Sequence, residues 1–255
     1  MKVLEKSLPI WVSDVEDGAP TDRLDNNWYS PAGHLAELEV SRVARSGKYR
    51  LMTLGELSEP RGIVTGGAPE DEGHVGLIEG RNLRPNYVLP VFMKFSTEAM
   101  DMLVGDLLIG KDGEPGTVAP VTKALLDYCN AVTVGNHVYR IRLQKKYRPL
   151  APFISAFLNS RIGQAILRKR IAGGTTPTIR KTDITEVPVL VPADERCPEK
   201  IADAVVETQK RILEAMDNLG PSKSIAGEVG IPEMNVRLPT NWAGGGAQRS
   251  SRIIS

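Results

Sequence analysis

Apolar positions along the chain change their period twice, and each change marks a boundary. After the Ser30-Pro31 pair, a serine cap before a proline that opens a helix, Leu35, Leu38, Val40 and Val43 recur at near-helical spacing as far as Gly47. The spacing predicts one helix from Pro31 to about Ser46. From Leu51 the pattern turns to short apolar runs punctuated by glycine and proline: Leu51 to Leu57, His74 to Ile78, Tyr87 to Phe92, Leu107 to Ile109, Thr117 to Pro120, Ala131 to Val134 and His137 to Leu143. Such runs predict a compact, mostly antiparallel β region. Helical spacing returns in Ala151 to Asn159 and Ile162 to Ile171, as one helix or a bent pair. There Phe153, Ile154, Phe157, Leu158, Ile162, Ile166 and Leu167 form a core stripe and leave Arg161, Arg168, Lys169 and Arg170 on the polar face. A glycine-rich connection, Ala172 to Thr178, leads to a strand from Val187 to Val191 that ends at Pro192.

Pro198 to Leu219 reads as a helix of coiled-coil type, because Ile201, Val205, Thr208, Ile212, Ala215 and Leu219 alternate in steps of four and three. A seam of about three heptads is marginal alone, so it must dock; docking within the chain and pairing with a partner fit it equally. The fold class is therefore α+β: a mostly antiparallel β domain with packed helices over 23–197, then a spacer or dimerisation helix over 198–219. Residues 1–22 read as an N-terminal arm whose strand-like piece is Ile10-Trp11-Val12. Residues 220–255, rich in Gly, Pro, Ser and Asn, read as a flexible tail or as an arm that orders on a partner.

Composition narrows the class. At 255 residues with 41% hydrophobic positions the chain can fill a core without disulfides or metal. Cys129 and Cys197 lie far apart, and Lys2, Glu5 and Lys6 interrupt the start where a signal peptide would be apolar, so a reducing cytoplasm is expected. No apolar run approaches the roughly 20 residues that span a bilayer, so no membrane partner is expected.

Charge changes the picture more. Between Tyr128 and Thr182 there is no Asp or Glu, yet Arg140, Arg142, Lys145, Lys146, Arg148, Arg161, Arg168, Lys169, Arg170, Arg180 and Lys181 all fall there. Eleven cations in a chain of net charge +1 leave −10 for the remainder, so charge is segregated. A phosphate backbone is the usual partner of such a field, because Lys and Arg displace its condensed counterions. A solvated basic face that binds nothing has equal weight on charge alone.

Catalytic patterns are missing. His34, His74 and His137 sit in three separate segments with no HxxxH, HxE or CxxC arrangement, so no metal is expected. There is no GxSxG, no GxxxxGK[ST] and no [DN]PP[YFW], and no Glu-x-Lys follows Asp106 and Asp112 to complete a nuclease signature. On its residues the chain is a binder, without cofactor.

Three stretches read together add a resemblance. They are Gly105-Asp106-Leu107-Leu108-Ile109 with Lys111-Asp112-Gly113 and Gly116; Phe157-Leu158-Asn159-Ser160 with Gly163-Gln164; and Gly173-Gly174-Thr175-Thr176-Pro177 with Ile184-Thr185-Glu186-Val187-Pro188-Val189 and Pro192. In this order and spacing the chain resembles the target recognition domain of the DNA specificity subunit of type I restriction-modification systems. The opening strand Leu51-Met52-Thr53-Leu54-Gly55-Glu56-Leu57 and the lead-in Arg23-Leu24-Asp25 with Trp28-Tyr29-Ser30-Pro31 resemble that family too. The resemblance runs from about Arg23 to Leu219. It implies a non-catalytic domain that reads one half of a bipartite site in duplex DNA, with catalysis in partner methyltransferase or nuclease subunits. It also departs from the family: a full specificity subunit has two recognition domains and two long helices, whereas here there is one domain, one short helix and a glycine-rich tail. Such a half-sized subunit could form a homodimer through 198–219.

The residues then take expected roles. Phosphate contacts fall to Lys111, Arg168, Lys169, Arg170, Thr175, Thr176, Arg180 and Lys181, with Gly173 and Gly174 letting backbone approach the strand. Glycine there also suits a tight helix-to-strand connection. Base reading falls to Arg61, His74, Arg81, Asn82, Arg84 and Asn86, with Glu79 beside them, since arginine pairs with guanine and asparagine with adenine. A different class, a protein-interaction adaptor with an incidental basic face, also fits the helix and tail; an unrecognised nuclease fits least.

Overall fold

The computed structural model describes residues 27–218 apart from 71, 72, 92, 130 and 174. The expected arm, the tail, the lead-in Arg23-Leu24-Asp25, and Phe92, Gly174 and Leu219 lie outside the described residues.

The chain folds into helix α1 (Pro31–Ala44), strand β1 (Tyr49–Thr53), a one-turn helix α2 (Leu54–Leu57) and strand β2 (Ser58–Thr65). The run Leu51 to Leu57, expected as one strand, breaks at Thr53. There Thr53 Oγ1 accepts from the Glu56 amide and Glu56 returns to the Thr53 amide, a capping box that starts a helix. Strand β3 (Val75–Ile78) and a 3-10 turn, Gly80–Asn82, lead to β4 (Leu83–Arg84) and β5 (Tyr87–Val88), a shorter strand than the apolar run to Phe92 suggested. Then come β6 (Lys94–Ser96), β7 (Leu107–Gly110), β8 (Val118–Pro120), α3 (Lys123–Cys129), β9 (Val132–Val134) and β10 (Val138–Leu143). The rest is α4 (Ala151–Asn159), α5 (Arg161–Lys169), β11 (Ile171–Ala172), β12 (Thr178–Ile179), α6 (Lys181–Thr185), β13 (Pro188–Pro192) and α7 (Glu199–Asn218).

A four-stranded antiparallel sheet in the order β2-β10-β7-β8 is the centre. Side chains alternate across its plane: Leu107, Ile109, Tyr139, Ile141 and Leu143 enter the core shared with α4 and α5, and Leu108, Ala119 and Val138 enter a second core with Val132, Val134 and Leu125. Burial on both faces leaves β7 and β8 without an alternating polar signature, which is why they read as plain apolar runs, whereas β10 carries Arg140 and Arg142 at alternate positions. Beside it, β6-β3-β9 contains the one parallel pair among the described strands, β3 with β9, and β1 pairs with β13. Strand β2 was not expected. It contains Pro60 and Gly62, Arg61 has a positive φ of 58°, and its pairing with β10 shifts register between Ile141 and Leu143. A bulge admits these strand-breaking residues.

The helix expected from Pro31 to about Ser46 forms and ends at Ala44, but its buried face is not the expected one. Leu35 and Leu38 are 66% and 63% exposed, and the residues packed inward are Gly33, Ala36 and Val40. Gly33 explains the choice, since a Cβ there would come within 2.7 Å of the Lys169 side chain. Small residues let α1 approach α5 closely.

The α7 seam is likewise corrected. Its buried stripe is Val205, Gln209, Leu213 and Met216, whereas Thr208 and Ala215 of the expected seam are exposed. Leu213 and Met216 pack with Leu89, Val91, Ala124, Tyr128 and Ile212 of the same chain. The hydroxyl of Tyr128, desolvated there and facing Asp217, is pushed up to about 12.

Candidate nucleic-acid interface

The acid-free stretch finds its acids elsewhere. Asp106, fully buried at the start of β7, accepts Arg142 Nε and Nη2 at 3.2 and 3.1 Å and has Arg140 Nη1 at 3.7 Å. Arg142 also reaches Asp101 Oδ2 at 2.8 Å. Burial and the Arg142 charge push the Arg140 guanidinium down, whereas Asp106 and Asp101 outweigh burial at Arg142 and hold it up. Arg148 donates to Glu59 at 2.6 Å.

The helix end departs most from expectation. Lys169 and Arg170 are only 4% and 5% exposed. Lys169 Nζ donates to Glu37 Oε2 at 2.6 Å and lies 4.7 Å from the centre of the Trp28 ring. Arg170 Nη1 lies 2.8 Å from Glu37 Oε1 and donates to Ile166 O at 2.9 Å. Burial alone would raise the Glu37 carboxyl, but the Lys169 hydrogen bond and the Arg170 charge outweigh it and hold the group below the usual carboxylate range. Their expected role as phosphate contacts is therefore corrected: α1, admitted by Gly33, supplies the counter-charge. Arg168 stays exposed and, with Arg161, lines a groove of about 950 Å³ between α1 and α5 that also holds Leu35 and Ile162.

Two of the expected base readers are also structural. Asn82 is fully buried; its Oδ1 accepts from the Glu79 amide at 3.0 Å, and its Nδ2 donates to Leu89 O and Val91 O at 3.1 and 2.9 Å. Asn86 has a positive φ of 73°, in the turn between the paired residues Arg84 and Tyr87, where asparagine is tolerated. Its Oδ1 accepts from Ser155 Oγ and Asn159 Nδ2, both at 3.0 Å.

What remains converges. A cleft of about 810 Å³ is lined by Glu79, Gly80, Arg81, Leu83, Arg84, Pro85, Asp112, Gly113, Glu114, Thr117, His137 and Thr176. It joins four distant segments: the 3-10 turn with the β4-β5 hairpin, the loop after β7, the turn before β10, and the glycine loop. That loop, expected to connect helix and strand directly, is the tip of the β11-β12 ribbon, with Gly173 at a φ of 91°. Ribbon and β7 loop are stitched by Gly113 N to Pro177 O at 3.2 Å and Ile179 N to Lys111 O at 3.0 Å, and Tyr139 Oη fixes the ribbon by donating to Ile179 O at 3.1 Å.

Within the cleft Arg81 pairs with Glu79 at 3.0 Å, and Arg84 Nη1 donates to Arg81 O and Leu83 O at 2.8 and 2.7 Å. Asp112 Oδ2 takes both Lys111 Nζ at 3.2 Å and His137 Nδ1 at 3.0 Å. Burial would raise this carboxyl, but hydrogen bonds from Thr178, His137 and Lys111 prevail and keep it low. His137 was missed in the sequence, where it looked like one of three scattered histidines. Its place in the acid-free run just before a strand was the available signal. Arg61, His74, Thr175 and Lys181 are exposed but do not line the cleft, and Arg180 is paired with Asp183 at 2.9 Å.

No family model matches the chain, and no curated protein matches it. Solved structures similar to it include the S subunit of a type I restriction-modification system from M. genitalium, with a TM-score of 0.44 and 15% identity over 67% of this chain and 40% of that one. A second concerns the complex assembly and conformational transition of the type I R-M system, with 0.42 and 13% over 86% and 50%. A third is the HsdS subunit from Thermoanaerobacter tengcongensis, with 0.41 and 13% over 76% and 53%. The likeness is one of fold. The chain spans about half or less of the length of these structures.

The residues that carried the resemblance build the scaffold. Asn159 brackets Val118, accepting from its amide at 3.2 Å and donating to its carbonyl at 2.7 Å. Gln164 donates to Gly116 O and Leu158 O at 2.9 and 3.0 Å. Ser160 caps α5 by accepting from the Gly163 amide at 3.1 Å, and a Cβ on Gly163 would lie 2.5 Å from Leu158 Cα. Among the described residues no group of His, Cys, Asp or Glu is placed to hold a metal, and no helix is long and apolar enough to cross a membrane.

Proposed function

We propose that the chain is the sequence-specific DNA-recognition subunit of a restriction-modification or related defence complex, acting in the cytoplasm. It reads duplex DNA and leaves catalysis to a partner adenine methyltransferase or nuclease subunit. The observation that carries this reading is the cleft: Arg81, Arg84, Asp112, His137 and Thr176, drawn from four separate segments, are presented together on short loops of a rigid sheet, with Lys111 beside them through its pair with Asp112. Loops held by a scaffold suit a surface that must vary in specificity without altering the fold. Arg81 and Arg84 offer forked donors to guanine edges, Lys111 and Thr176 contact phosphate, and Glu79, Asp112 and Glu114 favour accepting from cytosine while repelling misplaced phosphates.

Selection from a random duplex pool should enrich a motif of three to five bases. Replacing Arg84 with Ala should change that motif, each lost guanine contact being worth about 1–3 kcal/mol of discrimination. Replacing Lys111 should weaken all duplexes alike. A pool that emerges unenriched would sink the reading. The adaptor reading rests on a specific feature, the exposed Leu35 and Leu38 side by side on α1. It gains if DNA is ignored and a protein partner is lost on Leu35→Glu. A partner subunit or second copy would meet α7 on its outer face, where Val206 is 44% exposed among charged residues.

A further inference from the structure

The hairpin that carries Arg84 is only two paired residues on each side, too short to hold its own position. Amide side chains hold it instead. Asn82 anchors its approach and Asn86 its turn, as described above. The third anchor comes from 121 residues away: Gln209 of α7, fully buried, accepts from the Val88 amide at 2.8 Å and donates to the Val88 carbonyl at 2.9 Å.

Among the described strands β5 is paired only with β4, and at its outer edge Gln209 satisfies Val88 in a strand's place. Packing alone does not call for glutamine there. Val205, Leu213 and Met216 complete the same stripe, and an apolar residue would continue it. One buried amide with one possible partner fixes register, because sliding the helix by a turn would move it about 5.4 Å from Val88 and leave buried polar groups unpaired.

We propose that Gln209 is a positioning residue that ties the register of α7 to the placement of Arg84 and Arg81, so that the spacer helix sets the sequence discrimination of the cleft. The proposal rests on the cleft being the DNA-reading surface. A partner subunit that shifts α7 would therefore retune recognition at a distance, without touching DNA.

The test uses the full chain and the ratio of its affinity for the selected duplex to that for a scrambled one. Gln209→Leu should lower that ratio by about tenfold, the size of one lost base contact, and leave the salt dependence of scrambled-duplex binding unchanged. Leu213→Ala, which loosens the same helix but keeps the Gln209 bonds to Val88, should lower the melting temperature and keep the ratio. If the Leu variant is insoluble, Gln209→Met fills the same volume and carries the same expectations. An unchanged ratio in the Gln209 variant, or an equal loss in Leu213→Ala, would overturn the proposal. Arg84→Ala separates the two levels: a ratio intact in that variant sinks the cleft reading itself, whereas a ratio lost there but kept in Gln209→Leu sinks only the link through α7.

Discussion

Lys169 and Arg170 at the end of α5, and Arg81 and Arg84 around the β4-β5 hairpin, are cations of the same kind that meet opposite ends. The first two are buried against Glu37, which α1 brings across 132 residues for Lys169. The second two line an open cleft. The difference does not lie in the cations but in what approaches them. Gly33 and Ala36 let one helix close on another, and a carboxylate one turn from Gly33 is then within reach of both charges. The cleft is also crossed by acids, but its walls are loops, and loops do not close over their cations. Density of charge in a sequence therefore measures supply, while the fold decides how much of it reaches solvent.

The sharpest way to break this contrast is Glu37→Gln, which keeps the shape and removes the charge. Leaving Lys169 and Arg170 buried without their counter-charge should cost about 3 kcal/mol, read as a lower urea midpoint with unchanged slope. Because the folded carboxyl is held below its ordinary value, its contribution is whole above about pH 4.3 and is lost as pH falls through the lower folded value. The wild type should thus converge on the variant in acid and part from it above. If the two unfold alike at pH 7, both cations are solvated and belong with the phosphate contacts after all.

A smaller effect separates the two asparagines from the arginines beside them. Asn82→Ala strands the Glu79 amide and the Leu89 and Val91 carbonyls and should cost about 1–3 kcal/mol of stability. Arg84→Ala should stay within about 0.5 kcal/mol, since its bonds go to backbone it shares with the hairpin, and should act on binding instead. Equal thermal shifts in both variants would erase the distinction between frame and reader.

The frame was largely legible and the readers were not, for one physical reason. Apolar runs at Leu107 to Ile109 and His137 to Leu143, the Ser30-Pro31 helix start and the break at Pro192 are local signals, and each survives in the structure. Leu35 and Leu38 misled because helical spacing marks an apolar stripe but not which stripe a neighbour can approach. Strand β2 hid because its bulge places Pro60 and Gly62 where a strand forbids them elsewhere. Asn82 looked like an adenine reader because its donors and acceptor are the same whether they face a base or a buried backbone. Only the distance to Leu89 and Val91 distinguishes them. His137 needed Asp112, 25 positions away, before it belonged to a site.

The mildest test concerns two cations that no ion pair among the described residues claims. Arg161 and Arg168 are exposed on the rim of the α1-α5 groove, so neither has a structural duty and their joint replacement by Ala should leave melting within about 0.5 kcal/mol of wild type. If DNA crosses that rim, the slope of log affinity against log salt should fall by about 0.9 for each lost phosphate contact, and equally for every sequence. Lys111→Ala should lower the slope by one such step, with Asp112 freed from one of its partners. A slope that changes in Lys111→Ala but not in the double variant would confine DNA to the cleft and leave the groove, with Leu35 beside it, as a surface for protein.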